Sequence, residues 1–160
     1  MSALKDSARR VQDALNMYNL EFQIVKFHES TRTSQEAALA IGCEVGQIAK
    51  TLIFRGKRSG NPICIIASGK NRVDEKKVAL LIGEEIEKPD AAYVLQHTQF
   101  AIGGVPPIGY KLTTLPLIDE DLMLYEELWA AAGTPHAVFQ LSCPDLMKIT
   151  QGRISNIKKD

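Results

Sequence analysis

The chain has 160 residues, 45% of them hydrophobic, a length that fits one domain around one core. Lysine plus arginine and aspartate plus glutamate each number 19, so the net charge is zero, which argues against a protein that coats nucleic acid by charge alone. No window reaches the roughly 18 apolar residues of a membrane span, and residues 1–18 lack the continuous apolar core of a secretory leader.

The elements can be read in chain order. Leu4, Ala8, Val11 and Leu15 recur at helical spacing, which predicts an amphipathic helix over 4–18. Alternation predicts a strand over 21–27. Thr33-Ser34-Gln35-Glu36 has the form of a capping box, so a short helix runs to Ile41 and stops at Gly42. Strands over 48–54 and 62–68 flank a polar turn and predict a hairpin. Asn71 is expected to cap a helix carrying Val73, Val78, Leu81 and Ile82 and ending at Gly83. A short helix is expected over 90–97, a brief strand over 100–102 and another strand over 115–118. Residues 119–132 read as a helix closed by Gly133. A strand over 137–141, a helix over 144–150 and a last strand over 153–157 complete the chain. Interspersed helices and strands with short connections predict an α/β fold, a mixed β-sheet flanked by helices in a single domain over 1–160.

Charge is uneven along this order. Between Lys50 and Lys77, eight basic residues stand against Asp74 and Glu75, while 84–127 is strongly acidic. A basic side could meet a short run of phosphates, and ordinary solvated turns could give the same pattern. Three widely spaced cysteines, Cys43, Cys64 and Cys143, suggest neither a disulfide framework nor a zinc site. Reduced thiols in a cytoplasmic protein are expected.

Three strings could carry chemistry. Lys50 shares a strand face with Ile48, Leu52 and Phe54, which favour burial. A lysine there snorkels at a sheet edge, pairs with an acid, or lines a pocket where its ammonium meets a phosphate or carboxylate. The second string is Gly103-Gly104-Val105-Pro106-Pro107-Ile108-Gly109. Its glycines let main chain approach a ligand and its prolines stiffen it. It lacks the ending of a phosphate-binding loop, and a tight turn between strands is the plainer account. The third is Gly133-Thr134-Pro135-His136, where His136 either acts as a general base or bonds a neighbour. Ser68-Gly69-Lys70-Asn71, between a strand and a helix, either holds an anion on its main chain or is a plain turn. No nucleophile motif is present; a Cys143–His136 pair is the weak exception. No metal-binding string appears, so neither a metal nor another cofactor is expected.

Together these strings resemble the YbaK family, relatives of the editing domain inserted in bacterial prolyl-tRNA synthetase. The resemblance rests on Glu36-Ala37-Ala38, on Gly46 through Leu52, on Gly103 through Gly109, and on Gly133-Thr134-Pro135-His136 through Asp145-Leu146. It spans about residues 31–157. It implies a single mixed α/β domain that hydrolyses the ester joining a mischarged amino acid to the 3′ acceptor end of transfer RNA, often proline transfer RNA. The family's pocket lysine falls on Lys50, and its Gly-x-x-x-Pro loop on Gly103, Gly104, Val105, Pro106 and Pro107. Ile108 lies beside that loop, and Gly133, Thr134 and His136 fall near the substrate. Cysteine-editing members carry Cys-Ser where this chain has Val105-Pro106, so the resemblance implies the reaction and leaves the amino acid open.

On this resemblance no protein nucleophile is needed. Lys50 would hold the terminal adenosine, the loop would fix the aminoacyl group, and Ser68 with Gly69 would border the substrate. The expected partners are aminoacyl-tRNA and a prolyl-tRNA synthetase, with no membrane. The competing expectation is a non-catalytic module that binds transfer RNA or a synthetase.

Overall fold

A computed structural model describes residues 3–18 and 22–160, with side chains described from residue 7 onward. The side chain of Leu4 and the start of the expected first strand at Glu21 lie outside the described residues. The elements are α1 (Ala3–Asn16), β1 (Ile24–Lys26), α2 (Ser34–Ile41), β2 (Ile48–Gly56), β3 (Pro62–Ser68), α3 (Glu75–Ile82), β4 (Ile86–Glu87), α4 (Ala91–Thr98), β5 (Leu117–Asp119), β6 (Leu128–Ala131), β7 (Ala137–Leu141), α5 (Cys143–Thr150) and β8 (Arg153–Ser155), with short 3-10 turns at Val45–Gln47 and Glu120–Leu124.

Among the described residues eight strands form one mixed sheet in the order β1-β7-β6-β2-β3-β5-β8, with β4 pairing the far end of β2. The β2–β3 hairpin sits at its centre, antiparallel from Ala49↔Ser68 to Arg55↔Pro62. All of β3 is buried, as its unbroken run of apolar residues requires. One sheet face carries Cys64, Ile66, Ile118, Ala130 and Phe139, packed with Val11 and Leu15 of α1, Phe100, Val105, and Leu146 and Ile149 of α5. The other carries Phe54, Ile63, Ile65 and Leu117 against Val78 of α3 and Ile157.

The helix ends follow local chemistry. The Thr33 hydroxyl accepts from the Glu36 N–H, and Gly42 closes α2 at φ 85°. Asp90 caps α4 and Ser142 caps α5.

Three expectations are corrected. Residues 119–132 are not a helix: they form a 3-10 turn and then β6. The Leu-Trp-Ala-Ala string favours a helix locally, but it fills the slot between β2 and β7, and tertiary pairing overrides propensity. Asn71 does not cap α3; Asp74 does, accepting from Lys76 and Lys77, and Val73 bridges Lys158 outside the helix. Residues 100–102 form no strand. The Thr98 hydroxyl there bonds both the N–H and the carbonyl of Phe100, so no ladder can form at that residue. The two-residue β4 has too little sequence to show a period.

Candidate functional site

β2 keeps β3 along one edge but changes partners on the other. β6 runs beside it only at Ile48 and Ala49, opposite Trp129 and Ala130. β4 takes over at Arg55 and Gly56. Where β6 diverges, a hollow of about 690 Å³ is lined by every residue from Ile48 to Phe54, by Trp129, Ala130, Ala131 and Val138, and by Gly103 and Val105.

Lys50 lies on this wall. It is exposed while Ile48 and Phe54 on its strand face are buried. No carboxylate among the described residues pairs with it. Its charge is therefore free to meet a ligand anion, and Arg32, Arg72, Lys88 and Lys159 add positive charge to the same lining against Glu75 alone. A phosphate would be attracted here, most strongly at low salt.

The loop that also borders the hollow is built for close approach. Gly103 takes φ +93°, and a Cβ there would run into the Arg32 side chain. A Cβ on Gly104 would meet Thr134 main chain at 2.9 Å. The Gly104 N–H is spent on the Ala101 carbonyl, and Pro106 and Pro107 have none. Gly103 and Val105 are thus the loop residues that border the hollow and still carry uncommitted N–H groups among the described residues. Pro106, Pro107 and Ile108 are buried behind them. The Tyr110 hydroxyl donates to the Pro106 carbonyl at 2.7 Å and fixes the loop from behind. Burial, foremost, lifts that phenol well above its usual range, so it stays protonated as a donor.

Of the remaining expected residues, Gly69 lines the hollow and the others support it. The Ser68 hydroxyl donates to the Gly46 carbonyl at 2.8 Å, and its N–H donates to Asp119. Gly69 borders the hollow with its N–H bonded to the Ile48 carbonyl. Gly133, at φ +94°, sits so close to the Ser7 carbonyl that a Cβ would lie 2.7 Å away. The buried Thr134 hydroxyl accepts from the His136 N–H at 3.1 Å. The His136 ring lies with Nδ1 3.0 Å from the Glu29 carbonyl. A carbonyl only accepts, so Nδ1 carries the hydrogen of that bond. The Gly133–His136 turn therefore clamps residues 27–31 and backs Gly104, but is not among the residues lining the hollow.

Cys143 and His136 share no contact of the kind a catalytic pair requires among the described residues. Burial raises the Cys143 thiol, which keeps it neutral and poorly nucleophilic. Cys64 is pushed up to about 12 by burial.

Several site features had weak sequence signals. Asp119 is fully buried and accepts from Ser68 N–H at 3.0 Å and from Asn71 Nδ2 at 2.9 Å. Asn71 also donates to Asp121, which Lys158 meets at 2.8 Å. This knot holds the 69–72 turn at the rim. An aspartate ending the apolar run Leu117-Ile118 was its only sequence trace. Two hydroxyls beside the hollow, Ser34 Oγ and Thr51 Oγ1, are buried without a hydrogen-bond partner among the described residues. Among those residues no group of three or more histidine, cysteine, aspartate or glutamate side chains is arranged to hold a metal, and no helix is long and apolar enough to cross a membrane.

Residues 28–149 match the family described as the aminoacyl-tRNA editing domain. A solved structure described as that of a candidate trans-editing enzyme for prolyl tRNA synthetase aligns with a TM-score of 0.90 at 41% identity, over 100% of this chain and 99% of that one. YwhH of Bacillus subtilis is 28% identical over 148 residues, 92% of this chain and 94% of that protein. EbsC of Enterococcus faecalis, named a candidate Cys-tRNA(Pro)/Cys-tRNA(Cys) deacylase, is 25% identical over 154 residues, 96% of this chain and 93% of that protein.

Proposed function

The chain belongs to the aminoacyl-tRNA editing domain family, and from that premise we propose that it is a cytoplasmic trans-editing deacylase. Its substrate on this reading is proline transfer RNA carrying a small non-cognate amino acid, and a prolyl-tRNA synthetase is its functional partner. One observation carries the reading: unpaired Lys50, Gly103 and Val105 border the same hollow.

The reaction is hydrolysis of an activated ester. Water attacks the acyl carbon, the bond to the ribose oxygen breaks, and that oxygen leaves with a proton as the free 3′ end. An ester needs less chemical help than an amide, so positioning supplies much of the rate. Lys50 holds the phosphate or ribose of the terminal adenosine. The N–H groups of Gly103 and Val105 steady the developing oxyanion. Gly104 allows the loop to seat on Thr134, Pro106 and Pro107 stiffen it, and Ile108 anchors it in the core. Gly69 borders the terminal nucleotide with Ser68 buried behind it, and Gly133, Thr134 and His136 back the loop. Selectivity comes from the volume between Ala49, Val105 and Ala130; such pockets separate neighbours by only about 1–3 kcal/mol per methylene.

The test is hydrolysis of Ala-, Ser-, Thr- and Cys-charged proline transfer RNA by the purified protein. At least one should be deacylated well above its spontaneous rate. Lys50→Ala should lose roughly 10- to 100-fold in kcat/KM, as expected for one charged hydrogen bond, with an unchanged Tm. Full activity in that variant would remove the role given to Lys50.

A further inference from the structure

β2 has an edge that the protein leaves unpaired. The Ile48 carbonyl accepts from the Gly69 N–H at 2.8 Å, and the Gly56 N–H donates to the Asn61 carbonyl at 2.9 Å. In an antiparallel ladder the N–H and carbonyl of one residue point to the same side, and the side alternates along the strand. Even-numbered residues of β2 therefore bond β3, and odd-numbered ones face away from it. Ala49 meets Ala130 on that outer side and Arg55 meets Glu87. Thr51 and Ile53 lie between. Among the described residues nothing bonds their N–H or carbonyl groups. Both residues line the hollow.

Main-chain groups of this kind find partners almost without exception in folded proteins. Here the partner must come from the contents of the hollow. The α-amino acid unit is the small group whose donor and acceptor match one strand residue. Two residues directly opposite in a sheet exchange both bonds, each donating its N–H and accepting at its carbonyl.

We propose that the free edge of β2 is the subsite for the amino-acid main chain: the substrate's α-amino group donates to the Thr51 carbonyl, and its ester carbonyl accepts from the Thr51 N–H. The proposal rests on the deacylase reading and names how that site reads its substrate. In this pairing the ester oxygen and the terminal ribose run toward Lys50, and the α-amino end points toward Ile53. A partner residue placed opposite Thr51 carries its side chain on the same face as the Thr51 side chain. That face holds Ala49 and Ile53 beside the unpartnered Thr51 hydroxyl. The main chain of every amino acid is thus held alike, and discrimination falls to the room left on that face.

The test uses 3′-deoxy-3′-(L-alanylamido)adenosine, an amide that resists hydrolysis, and its propionylamido counterpart, which lacks only the α-amino group. Added to ¹⁵N-labelled protein, the alanyl compound should shift the amide resonance of Thr51 and slow its hydrogen exchange. The propionyl compound should bind roughly 10- to 100-fold more weakly, because it leaves the Thr51 carbonyl unpaired. Alanyl- and propionyl-tRNAPro, each compared with its spontaneous hydrolysis, should differ in kcat/KM by a similar factor. Equal affinity of the two compounds, equal acceleration of the two esters, or a silent Thr51 amide would overturn the proposal. If alanyl-tRNAPro is not hydrolysed while the alanyl compound alone shifts the Thr51 amide, the subsite stands and the deacylase reading falls. Equal acceleration of both esters leaves the deacylase and removes the subsite.

Discussion

β2 and the Gly103–Pro107 loop both border the hollow, yet they are held by different means. β2 is fixed by a seven-pair ladder with β3, so its position depends on the sheet and hardly on any one side chain. The loop has no ladder. Its carbonyl at Pro106 is held by Tyr110, the preceding Phe100 by Thr98, and Gln99 by the guanidinium of Arg10, which also lies 4.5 Å over the Phe100 ring. A wall built on periodic main-chain bonds tolerates side-chain changes. A wall built on individual braces fails when one is removed.

The sharpest way to break the second wall is Gly104→Ala. The added Cβ would meet Thr134 main chain on the facing turn, which cannot swing aside as a side chain can. An overpacked contact costs about 1–3 kcal/mol, read in thermal unfolding as a Tm lowered by roughly 2–4 °C per kcal/mol. Deacylation should fall with it. Tyr110→Phe is milder. It removes one hydrogen bond and leaves the buried Pro106 carbonyl unpaired, a loss of roughly 1 kcal/mol. On the proposed role of the loop in steadying the oxyanion, kcat should drop more than KM rises. Lys50→Ala, on the ladder wall, should show the opposite pattern, with weaker binding and an intact Tm. Equal Tm losses in Tyr110→Phe and Lys50→Ala would erase the distinction between the walls.

The same contrast decides what could be read from the sequence. The β2–β3 hairpin, α2 with its Thr33 cap, and β7 are legible because period and capping chemistry are local. Lys50 is legible because a charge among apolar neighbours breaks that period. The glycine–proline string marks the loop but not its braces: Arg10 reaches it from 89 residues away. β6 is hidden because Leu128 to Ala132 favours a helix and becomes a strand only between two partners. Asn71 looks like a cap, yet its amide is claimed by Asp119 and Asp121, 48 and 50 residues further on.

That Asn71 knot supplies a smaller test on the ladder side. The hydrogen bond from Lys158, foremost, holds the Asp121 carboxyl below its ordinary range. A carboxylate with a depressed folded pKa contributes stability above its unfolded pKa, and loses that contribution as pH falls through the folded value. Asp121→Asn should therefore lower Tm most near neutral pH, and the gap to the parent protein should close in acid. Tm measured from pH 7 down to pH 3 checks this. A gap that stays constant would mean that the Asp121–Lys158 bond at 2.8 Å adds nothing to stability.

The smallest expected effect is none. If two walls and a water carry the reaction, no thiol takes part, and Cys143→Ser should deacylate at the parental rate. Cys143 is buried at the first turn of α5, and its thiol is raised by that burial. A neutral thiol is a poor nucleophile, and serine in its place keeps nearly the same volume next to the Ser142 cap. A small loss of Tm without a loss of kcat fits a packing role. A collapse of kcat at unchanged Tm would instead put the nucleophile in the protein, and the division of labour between β2 and the loop would have to be redrawn around it.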